Sequence, residues 1–391
     1  MTGKERFLTT FAHREPDRVP VSDQVIVSRV ASGVLGRYAY TGGGEFSRDS
    51  IELLRRGERD FLVGRFIEDT VELHRKLELD FVAITNRTPP RDYDREALPQ
   101  KVADNIYRHQ DTETGLFSVS KFSEESGLFF DIDSSFKREG VEAIGRLVPV
   151  FERELAKPVR FKDGYFDGWD GIASELGKDI AIGFNAGLGF PPELHWLEAI
   201  PLKPQWAELY LDVQLHHSLA LIREGVKHGA DFVLSECDLA DNRGPFYSPD
   251  IYRRWLVPRY RKLVSCAHEN GLLYIMRTDG NTRLLWTHIF DEIGVDGYEE
   301  IDREAGMDLG EMKRAVGHKI TLIGNVDAAK TLVFGDRKAV FDEVRACIGT
   351  AARGGGYIMA SSNSIHYNIP FRNFMYMVEA TRLYGDYPIR V

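Results

Sequence analysis

Residues 272–279 read LLYIMRTD, a run of large apolar side chains that ends in an arginine and an aspartate. The run has the length and composition of a buried strand, and Gly280 and Asn281 then form a turn. Seven other stretches have a similar form: RVPVSD (18–23), DFVAITNR (80–87), DIAIGFN (179–185), DFVLSECD (231–238), VDGYEE (295–300), KITLIGNVD (319–327) and GYIMASSN (356–363). The sequence therefore predicts eight strands with polar residues at their carboxyl ends.

Amphipathic helical patterns lie between these strands, at residues 60–77, 139–156, 203–228, 249–269, 281–292, 306–316, 337–350 and 370–384. Apolar strands that alternate with helices are typical of a parallel sheet covered on its outside. Eight such units are the number that closes a (β/α)8 barrel, which is the predicted fold. An open doubly wound sheet is the alternative, but neither GGG at 42–44 nor GLG at 187–189 fits its glycine-rich phosphate turn.

A helix is predicted at the amino end of the chain. Thr2 and Glu5 have the spacing of a capping box, and Phe7, Leu8 and Phe11 follow on one face of the helix. We expect this helix to dock on the barrel.

A charged excursion over residues 88–138 interrupts the repeat of strands and helices. It contains the strand-like stretches NIYRHQ and LFSVSKF, which predict an inserted hairpin that lies over one end of the barrel as a lid. No Pro-rich or low-complexity linker divides the chain. Residues 1–391 are therefore expected to form a single barrel domain.

Composition excludes several classes of protein. The formal net charge is −10, from 50 basic and 60 acidic residues, and no run of Lys and Arg forms a stripe for nucleic acid. No apolar stretch approaches the ~20 residues that span a bilayer, and the polar start MTGKERF does not resemble a signal peptide, so a soluble cytoplasmic protein is expected. Cys237, Cys266 and Cys347 lie far apart, which predicts neither a disulfide framework nor a cysteine-rich zinc site.

The active site of such a barrel lies where the carboxyl ends of its strands converge, so the polar residues there predict the content of the site. They are Asp23, Asn86, Arg87, Asn185, Glu236, Asp238, Arg277, Asp279, Glu299, Glu300, Asp302, Asn325, Asp327, Ser361, Ser362, Asn363 and His366. The set is acidic and holds two arginines. It suits a cationic, hydroxylated or neutral substrate better than one with many carboxylates.

The charge pair in residues 272–279 is either structural or catalytic. If Arg277 faces the barrel lumen it must be paired, and Glu236, Asp238 or Glu299 is the expected partner. An arginine held in this way could also bind a substrate carboxylate through two bonds. Asp279 precedes Gly280 and a predicted helix, so it either caps that helix or serves the site.

Glu236 and Asp238 are two residues apart on an extended chain and therefore face the same side. Either one of them takes up a proton and acts as a general acid or base, or both bind a cation, or both join a structural ion network. Asn325 either binds substrate or holds its own loop together. His366 is the histidine near a strand end and could be a ligand, an acid or base, or a loop residue.

Five segments in order resemble the uroporphyrinogen decarboxylase superfamily, and within it the branch of corrinoid-dependent methyltransferases. They are KERFLTTFAHREPDRVPV, RGPFYSPDIYRRWLVPRYRKLVSCAHENG, DGN after the fifth strand, AGMDLGEMKRAVGHKITLIGNVD and GGGYIMASSNSIHYNIPFRNFMYMVEA. Each segment is a weak signal, but together they extend over nearly the whole chain. The resemblance implies a (β/α)8 barrel and methyl transfer to or from a cobalt corrinoid (cobalamin).

The methyltransferases of this branch usually hold zinc through His-x-Cys after the fifth strand and Cys after the eighth. The resemblance places Arg277, Asp279 and Asn363 at these positions. An arginine does not ligate zinc, and the other two side chains offer hard oxygen in place of thiolate, so the thiolate zinc site is not carried over. A metal would need another set of ligands, such as Glu236, Asp279, Glu299 and His366.

The chain has no D-x-H-x-x-G sequence, the usual lower-ligand signature of corrinoid proteins, so any corrinoid is expected on a partner protein. The resemblance implies a methyltransferase that moves a methyl group between a small O- or N-methylated compound and that partner. Glu236, Asp238 and Asp279 would position or protonate the leaving heteroatom, and Arg277 would orient these carboxylates. Substrate contacts are expected from Asn185, Glu299, Asn325, Asn363 and His366.

Two other functions stay open. One is a decarboxylase of a small carboxylic acid, in which Arg277 would hold the carboxylate and an aspartate would steady the developing charge. The arginine-rich, AGRY-like segment of the porphyrin decarboxylases is missing from residues 19–40. The other is a barrel that only binds a ligand.

Overall fold

The computed structural model describes all 391 residues and contains a parallel sheet of seven strands that curls around a common lumen. The strands are β1 (Phe81–Ile84), β2 (Gln100–Ala103), β3 (Ile106–Gln110), β4 (Phe117–Ser123), β5 (Leu128–Ser134), β6 (Ala181–Asn185), β7 (Phe232–Glu236), β8 (Ala240–Asp241), β9 (Gly244–Pro245), β10 (Leu273–Arg277), β11 (Gly297–Glu299), β12 (Thr321–Ile323) and β13 (Tyr357–Ile358). The order in the parallel sheet is β1-β6-β7-β10-β11-β12-β13.

Sixteen α-helices accompany this sheet. They are α1 (Gly3–Phe11), α2 (Ser28–Leu35), α3 (Gly43–Arg56), α4 (Arg59–Leu77), α5 (Ser135–Glu139), α6 (Glu142–Gly145), α7 (Val148–Leu155), α8 (Asp167–Leu176), α9 (Leu194–Leu202), α10 (Pro204–Gly225), α11 (Pro249–Ile251), α12 (Val257–Glu269), α13 (Leu309–Ala315), α14 (Thr331–Phe334), α15 (Arg337–Ala351) and α16 (Phe371–Tyr384). The predicted helix at 139–156 is in fact broken into short helices, and the one at 281–292 is a 3-10 turn followed by a π-helical segment. None of the helices combines the length and the apolar character that crossing a bilayer requires.

The predicted strand at 18–23 closes the barrel, although it forms only isolated ladder contacts. Val21 makes a parallel bridge with Met359, next to β13. On the other side, the backbone N–H of Asp80 donates to the carbonyl of Val21 at 3.0 Å, next to β1. The segment therefore lies between the last and the first strand of the sheet, and the predicted (β/α)8 barrel is confirmed.

Side chains at alternate positions of the strands fill the lumen. The buried lumen cluster consists of Phe7, Phe81, Ala83, Ala181, Phe232, Leu234, Ile275, Ile323, Ile358 and Ala360. A glycine at position 183 is needed beside Phe232, because a Cβ atom there would lie 2.1 Å from the phenyl ring. The other side of each strand packs against the helices in a much larger cluster of 84 buried residues.

Helix α1 closes the amino end of the barrel. The predicted capping box of Thr2 and Glu5 is present, and the ring of Phe7 lies 5.7 Å from that of Phe81 and 5.1 Å from that of Phe232. Arg6 forms an ion pair with the buried Asp80, which fixes the helix to the end of the barrel. The predicted docking helix thus closes the amino end of the barrel, opposite the carboxyl ends of the strands. Leu8, which was expected on the docking face, is 44% exposed.

The insertion at 88–138 differs from the predicted hairpin, because it forms a four-stranded antiparallel sheet in the order β2-β3-β4-β5. The phenol of Tyr367, in the loop after β13, donates to the carbonyl of Glu124 at 2.7 Å. Phe136 stacks on His195, with ring centres 4.6 Å apart, and His195 lies on the helix that follows β6. Both contacts place the insertion beside the carboxyl ends of the barrel strands.

Candidate active site at the mouth of the barrel

The last residues of three neighbouring strands form a charged layer across the lumen. Arg277 of β10 lies in register with Glu236 of β7 and with Glu299 of β11. These positions continue the alternation of the inward residues Leu234 and Ile275, so their side chains also point inward. The strands therefore place an arginine and two carboxyl groups at the mouth, by which we mean the carboxyl ends of the barrel strands.

Arg277 is paired on both sides. Its Nη1 lies 2.7 Å from Oε1 of Glu236, and its Nη2 lies 2.6 Å from Oε1 of Glu300. Burial lowers the pKa of the guanidinium, but the surrounding carboxylates of Glu300, Glu236 and Glu299 outweigh burial and raise the pKa. Glu236 was among the partners expected from the sequence, whereas Glu300 was not.

Glu300 reaches Arg277 because its backbone adopts φ 68°, a left-handed conformation that is rare for a residue with a side chain. Burial raises the pKa of its carboxyl group, and Arg277 only partly offsets this. Its Oε2 atom is buried without a hydrogen-bond partner. In the sequence, the pair of adjacent glutamates at a strand end was the only indication that Glu300 could contact Arg277. No local pattern predicts the left-handed backbone of Glu300.

Two further buried acids lie close to this layer. Burial raises the pKa of Glu299 well above its ordinary value, and Arg277 opposes the shift. Burial likewise raises the pKa of Asp23 to about 7, although Oδ2 of Asp23 accepts the backbone N–H of Ser361 at 2.9 Å. One arginine does not balance all these acids, so protonated carboxyl groups are part of the site.

Asp279 lies at the mouth with its carboxylate toward Asn363, whose Nδ2 donates to Oδ2 at 3.1 Å. Burial, Asp238 and Asp302 raise the pKa of Asp279 to about 6, and Arg277 lowers it in part. The helical turn that follows begins after Thr282 and receives no side-chain cap. The structure therefore places Asp279 at the mouth, and its side chain does not cap the following helical turn.

Asn185 and Asp238 complete this side of the mouth. The amide of Asn185 donates to Oε2 of Glu236 at 2.9 Å, and its Oδ1 accepts the backbone N–H of Glu236 at 3.3 Å. Asp238 is exposed and lies close enough to Asp279 to raise its pKa. Asn185 thus fixes Glu236, while Asp238 is free to contact a ligand.

The structure does not bring Asn325 and His366 into the charged layer. The amide of Asn325 donates to the carbonyl of Ile301 at 3.1 Å, and the residue borders a separate cavity of about 420 Å³ on the flank between α13 and α15. In His366, Nε2 lies 2.9 Å from the carbonyl oxygen of Ala328 and Nδ1 accepts the backbone N–H of Asn368 at 3.3 Å. Both side chains hold loops together.

A cavity of about 400 Å³ opens beside the charged layer. Asn185, Glu236 and Asp238 form its polar side. The aromatic rings of Phe161, Tyr165 and Phe190 and the side chains of Pro191, Pro192 and Leu221 form an apolar wall, and Arg87 borders the same space. Sequence reasoning missed the aromatic wall, because these rings come from segments between the predicted strands.

The residues at the mouth do not fit the zinc ion that the resemblance implies. Arg277 is paired with two glutamates, and the amide of Asn363 turns its NH2 group toward Asp279. The structure does not gather the other set, Glu236, Asp279, Glu299 and His366, as ligands, since it contains no group of three or more His, Cys, Asp or Glu side chains arranged to hold a metal. Glu236 is occupied by Arg277 and Asn185, and both ring nitrogens of His366 are occupied by backbone groups.

The fold and the site together define a (β/α)8 barrel protein with an arginine-centred acidic layer at its mouth. Residues 194–384 match the family profile of uroporphyrinogen decarboxylase (URO-D). The predicted resemblance to this superfamily is confirmed.

Individual relatives include both decarboxylases and a methyltransferase. A uroporphyrinogen decarboxylase of Coxiella burnetii is 22% identical over 171 residues, which cover 42% of this chain and 44% of that protein. The methylcobamide:CoM methyltransferase MtaA of Methanosarcina barkeri is 25% identical over 173 residues, which cover 44% of this chain and 48% of that protein. The chain thus spans slightly less than half the length of these curated relatives.

A solved structure also matches over nearly the whole chain. A methyltransferase from Methanosarcina mazei superposes with a TM-score of 0.63 and 18% sequence identity, and the match covers 98% of this chain and 99% of that protein. At this identity the likeness concerns the fold.

Proposed function

We propose that this protein is a methyltransferase that moves a methyl group between a small O- or N-methylated compound and a corrinoid carried by a partner protein. The observation that carries the proposal is the raised pKa of Asp279, about 6, in a carboxyl group that reaches the mouth of the barrel. Such a group can be protonated near neutral pH and can give its proton to a leaving heteroatom. The MtaA relative and the methyltransferase fold neighbour support the same reaction class.

In the proposed reaction Asp279 acts as the general acid. The bond between the methyl carbon and its oxygen or nitrogen breaks, the bonding electrons stay on the heteroatom, and the proton of Asp279 neutralises it. Asn363 holds the carboxyl group of Asp279 through the 3.1 Å hydrogen bond. The reverse transfer uses Asp279 as the base.

The remaining polar groups position the substrate. Arg277 and Asn185 fix the carboxylate of Glu236 from two sides, so this group accepts hydrogen bonds in one orientation. Asp238 and Glu236 are the exposed carboxylates that border the cavity and would face the polar end of the substrate. Contacts with substrate from Glu299, Asn325, Asn363 and His366 stay predictions, and the loop bonds of Asn325 and His366 favour an indirect role for these two.

When bound, the corrinoid supplies the nucleophile that accepts the methyl group. A cavity of about 400 Å³ has the size of a site for a small molecule and does not enclose a whole corrinoid, which fits delivery by a partner at the open mouth. No step of the proposal uses zinc, because the side chains at the expected ligand positions are engaged with one another.

Decarboxylation is the second candidate, and the URO-D match supports it. It would require Arg277 to hold the carboxylate of the substrate. Both ends of that guanidinium already bind Glu236 and Glu300, and its free Nε is buried. This occupied arginine is the reason that we place methyl transfer first.

The test offers the protein a panel of O- and N-methylated compounds together with reduced cobalamin. Methyl transfer is monitored through the change in absorbance of the cobalamin. The wild-type rate should fall above about pH 6, because Asp279 loses its proton there. Asp279→Asn should lower the rate by about 100-fold or more. In this variant the decrease of the rate above about pH 6 (the alkaline limb of the pH profile) should disappear.

The matched variant is Asp302→Asn. Since Asp302 raises the pKa of Asp279, its neutralisation should move the limb to lower pH without abolishing the reaction. Absence of transfer from every donor would contradict the proposal, and carbon dioxide release from an aromatic or porphyrin acid would select the second candidate. A stoichiometric metal in the purified protein that disappears in Asp279→Ala would overturn the zinc-free mechanism.

A further inference from the structure

Arg87 is a cation without a partner at the edge of the mouth cavity. It follows β1, its side chain is exposed, and it is the only arginine or lysine that borders this cavity. Asp167 is bound by two other arginines, Arg59 at 2.8 Å and Arg91 at 3.0 Å. Arg87 itself forms no ion pair and no side-chain hydrogen bond within the protein.

The chain on both sides of Arg87 is firmly held. The amide of Asn86 donates to the carbonyl of Thr41 at 3.1 Å, and the buried hydroxyl of Thr88 accepts the backbone N–H of Gly168 at 3.1 Å. Arg59 donates to the carbonyl of Pro89 at 2.7 Å. Because the backbone is already held, binding of an anion by this guanidinium costs the rotamer freedom of the side chain but little backbone freedom.

The cavity offers this guanidinium an apolar wall beside it. Phe161, Tyr165 and Phe190 line the same space of about 400 Å³ as Arg87. A second cavity of about 200 Å³ also borders Arg87, but its other polar side chains are small and neutral, and it contains none of the acids of the mouth. The larger cavity therefore joins an aromatic wall, a free cation and the carboxylates Glu236 and Asp238.

From this arrangement we infer that the mouth cavity binds a small aromatic carboxylate, with Arg87 gripping its carboxylate group and the aromatic wall holding its ring. Arg87 would then determine specificity, since a guanidinium matches the two oxygens of a carboxylate through parallel hydrogen bonds. The methylated heteroatom would lie at the other end of the ring, toward the acids of the mouth. This inference names the substrate class of the proposed methyl transfer and in that sense rests on it.

The experiment measures binding alone, so that it does not depend on methyl transfer. Calorimetric titration of the full chain compares 4-methoxybenzoate with 4-methoxybenzamide, which has nearly the same shape and no charge. The wild-type protein should bind the acid about 10- to 100-fold more tightly than the amide, because one charge-assisted bidentate contact is lost in the amide. Arg87→Gln should bind the two compounds equally, and Arg87→Lys should keep part of the preference.

Arg243→Gln is the control variant. Arg243 lies in the loop after β7 with a side chain that is 92% exposed and pairs with Asp241, so its loss removes one positive charge near the mouth and should leave the preference unchanged. Equal binding of acid and amide by the wild-type protein, binding of neither, or an undiminished preference in Arg87→Gln would each overturn the inference. An acid preference that depends on Arg87 without any methyl transfer would uphold this site and refute the proposed function.

Discussion

Arg277 is surrounded by more acid than one positive charge balances. Glu236 and Glu300 bond to it directly, and Glu299 and Asp23 lie close to it. Buried acids that remain after such pairing keep their protons to higher pH, since ionising them would leave uncompensated charge in the protein. Proton uptake is therefore a property of this group of residues.

Asp23→Asn tests this at a single position. Burial raises the pKa of Asp23 from 3.8 to about 7, so between these values the folded protein holds a proton that the unfolded chain has released. The contribution of Asp23 to the free energy of unfolding is thus complete below pH 4 and is lost up to pH 7, by about 1.4 kcal/mol per pH unit. Relative to wild type, Asp23→Asn should gain stability as the pH rises, as measured by urea unfolding.

The control for this series is Asp104→Asn, an exposed position in the turn between β2 and β3. Its stability curve should run parallel to that of the wild-type protein across the same pH range. A difference between Asp23→Asn and wild type that does not change with pH would show that Asp23 is ionised in the folded state.

At the scale of elements, Gly127 is the point where the insertion lies against Tyr367 at the mouth. Gly127 has φ 66°, and a Cβ atom there would lie 2.2 Å from the ring of Tyr367. Gly127→Ala should therefore displace Tyr367 and loosen the sheet β2–β5. We expect hydrogen exchange in the peptides of this sheet to accelerate, while exchange in the barrel strands stays unchanged.

Gly115→Ala separates backbone strain from this clash. Gly115 lies in the turn between β3 and β4 with φ 70°, and a Cβ atom there meets only Arg146 at 3.9 Å. Both substitutions carry the strain of about 1 kcal/mol for a left-handed alanine. Only Gly127→Ala also clashes with Tyr367 at the mouth. Equal exchange patterns in the two variants would mean that Tyr367 does not hold the insertion.

At the scale of the whole molecule, the two ends of the barrel differ: the amino end is closed and the carboxyl end is open. The amino end is closed by α1, whose Phe7 is fully buried in the lumen cluster. Arg6 and Arg18 both pair with Asp80, at the seam where the segment 18–23 meets β1. The closed end stabilises the barrel, which leaves the charged layer at the open end free for chemistry.

Phe7→Ala should consequently destabilise the entire domain. Removal of a fully buried phenyl ring costs about 3–5 kcal/mol, and we expect a single urea transition at a lower midpoint because the barrel unfolds as one unit. Leu8→Ala, one residue further along the same helix, removes a side chain that is 44% exposed and should cost less than about 1 kcal/mol. Similar losses of unfolding free energy in the two variants would argue against the proposal that burial of Phe7 in the lumen stabilises the barrel.

Part of the site was predictable from strand ends alone. Glu236 and Arg277 were predicted at the mouth because they lie at the carboxyl ends of predicted strands, whereas the face of the strand that Arg277 occupies was left open. Beyond the last hydrogen bond of the strand ladder, regular alternation of side chains no longer holds. The contact of Glu300 depends on a left-handed backbone, and His366 turns to the carbonyl of Ala328, neither of which a local pattern encodes.

The sequence by itself determined the eight strand-and-helix units, the docking helix at the amino end and the acidic character of the mouth, since these depend on local apolar periodicity and on the residues at the strand ends. Only the tertiary structure decided that segment 18–23 closes the sheet, that the insertion has four strands, and that Arg277 is bound while Arg87 is free. Which charges meet depends on distances between segments remote in the chain. Those distances are set by the packing of the whole barrel.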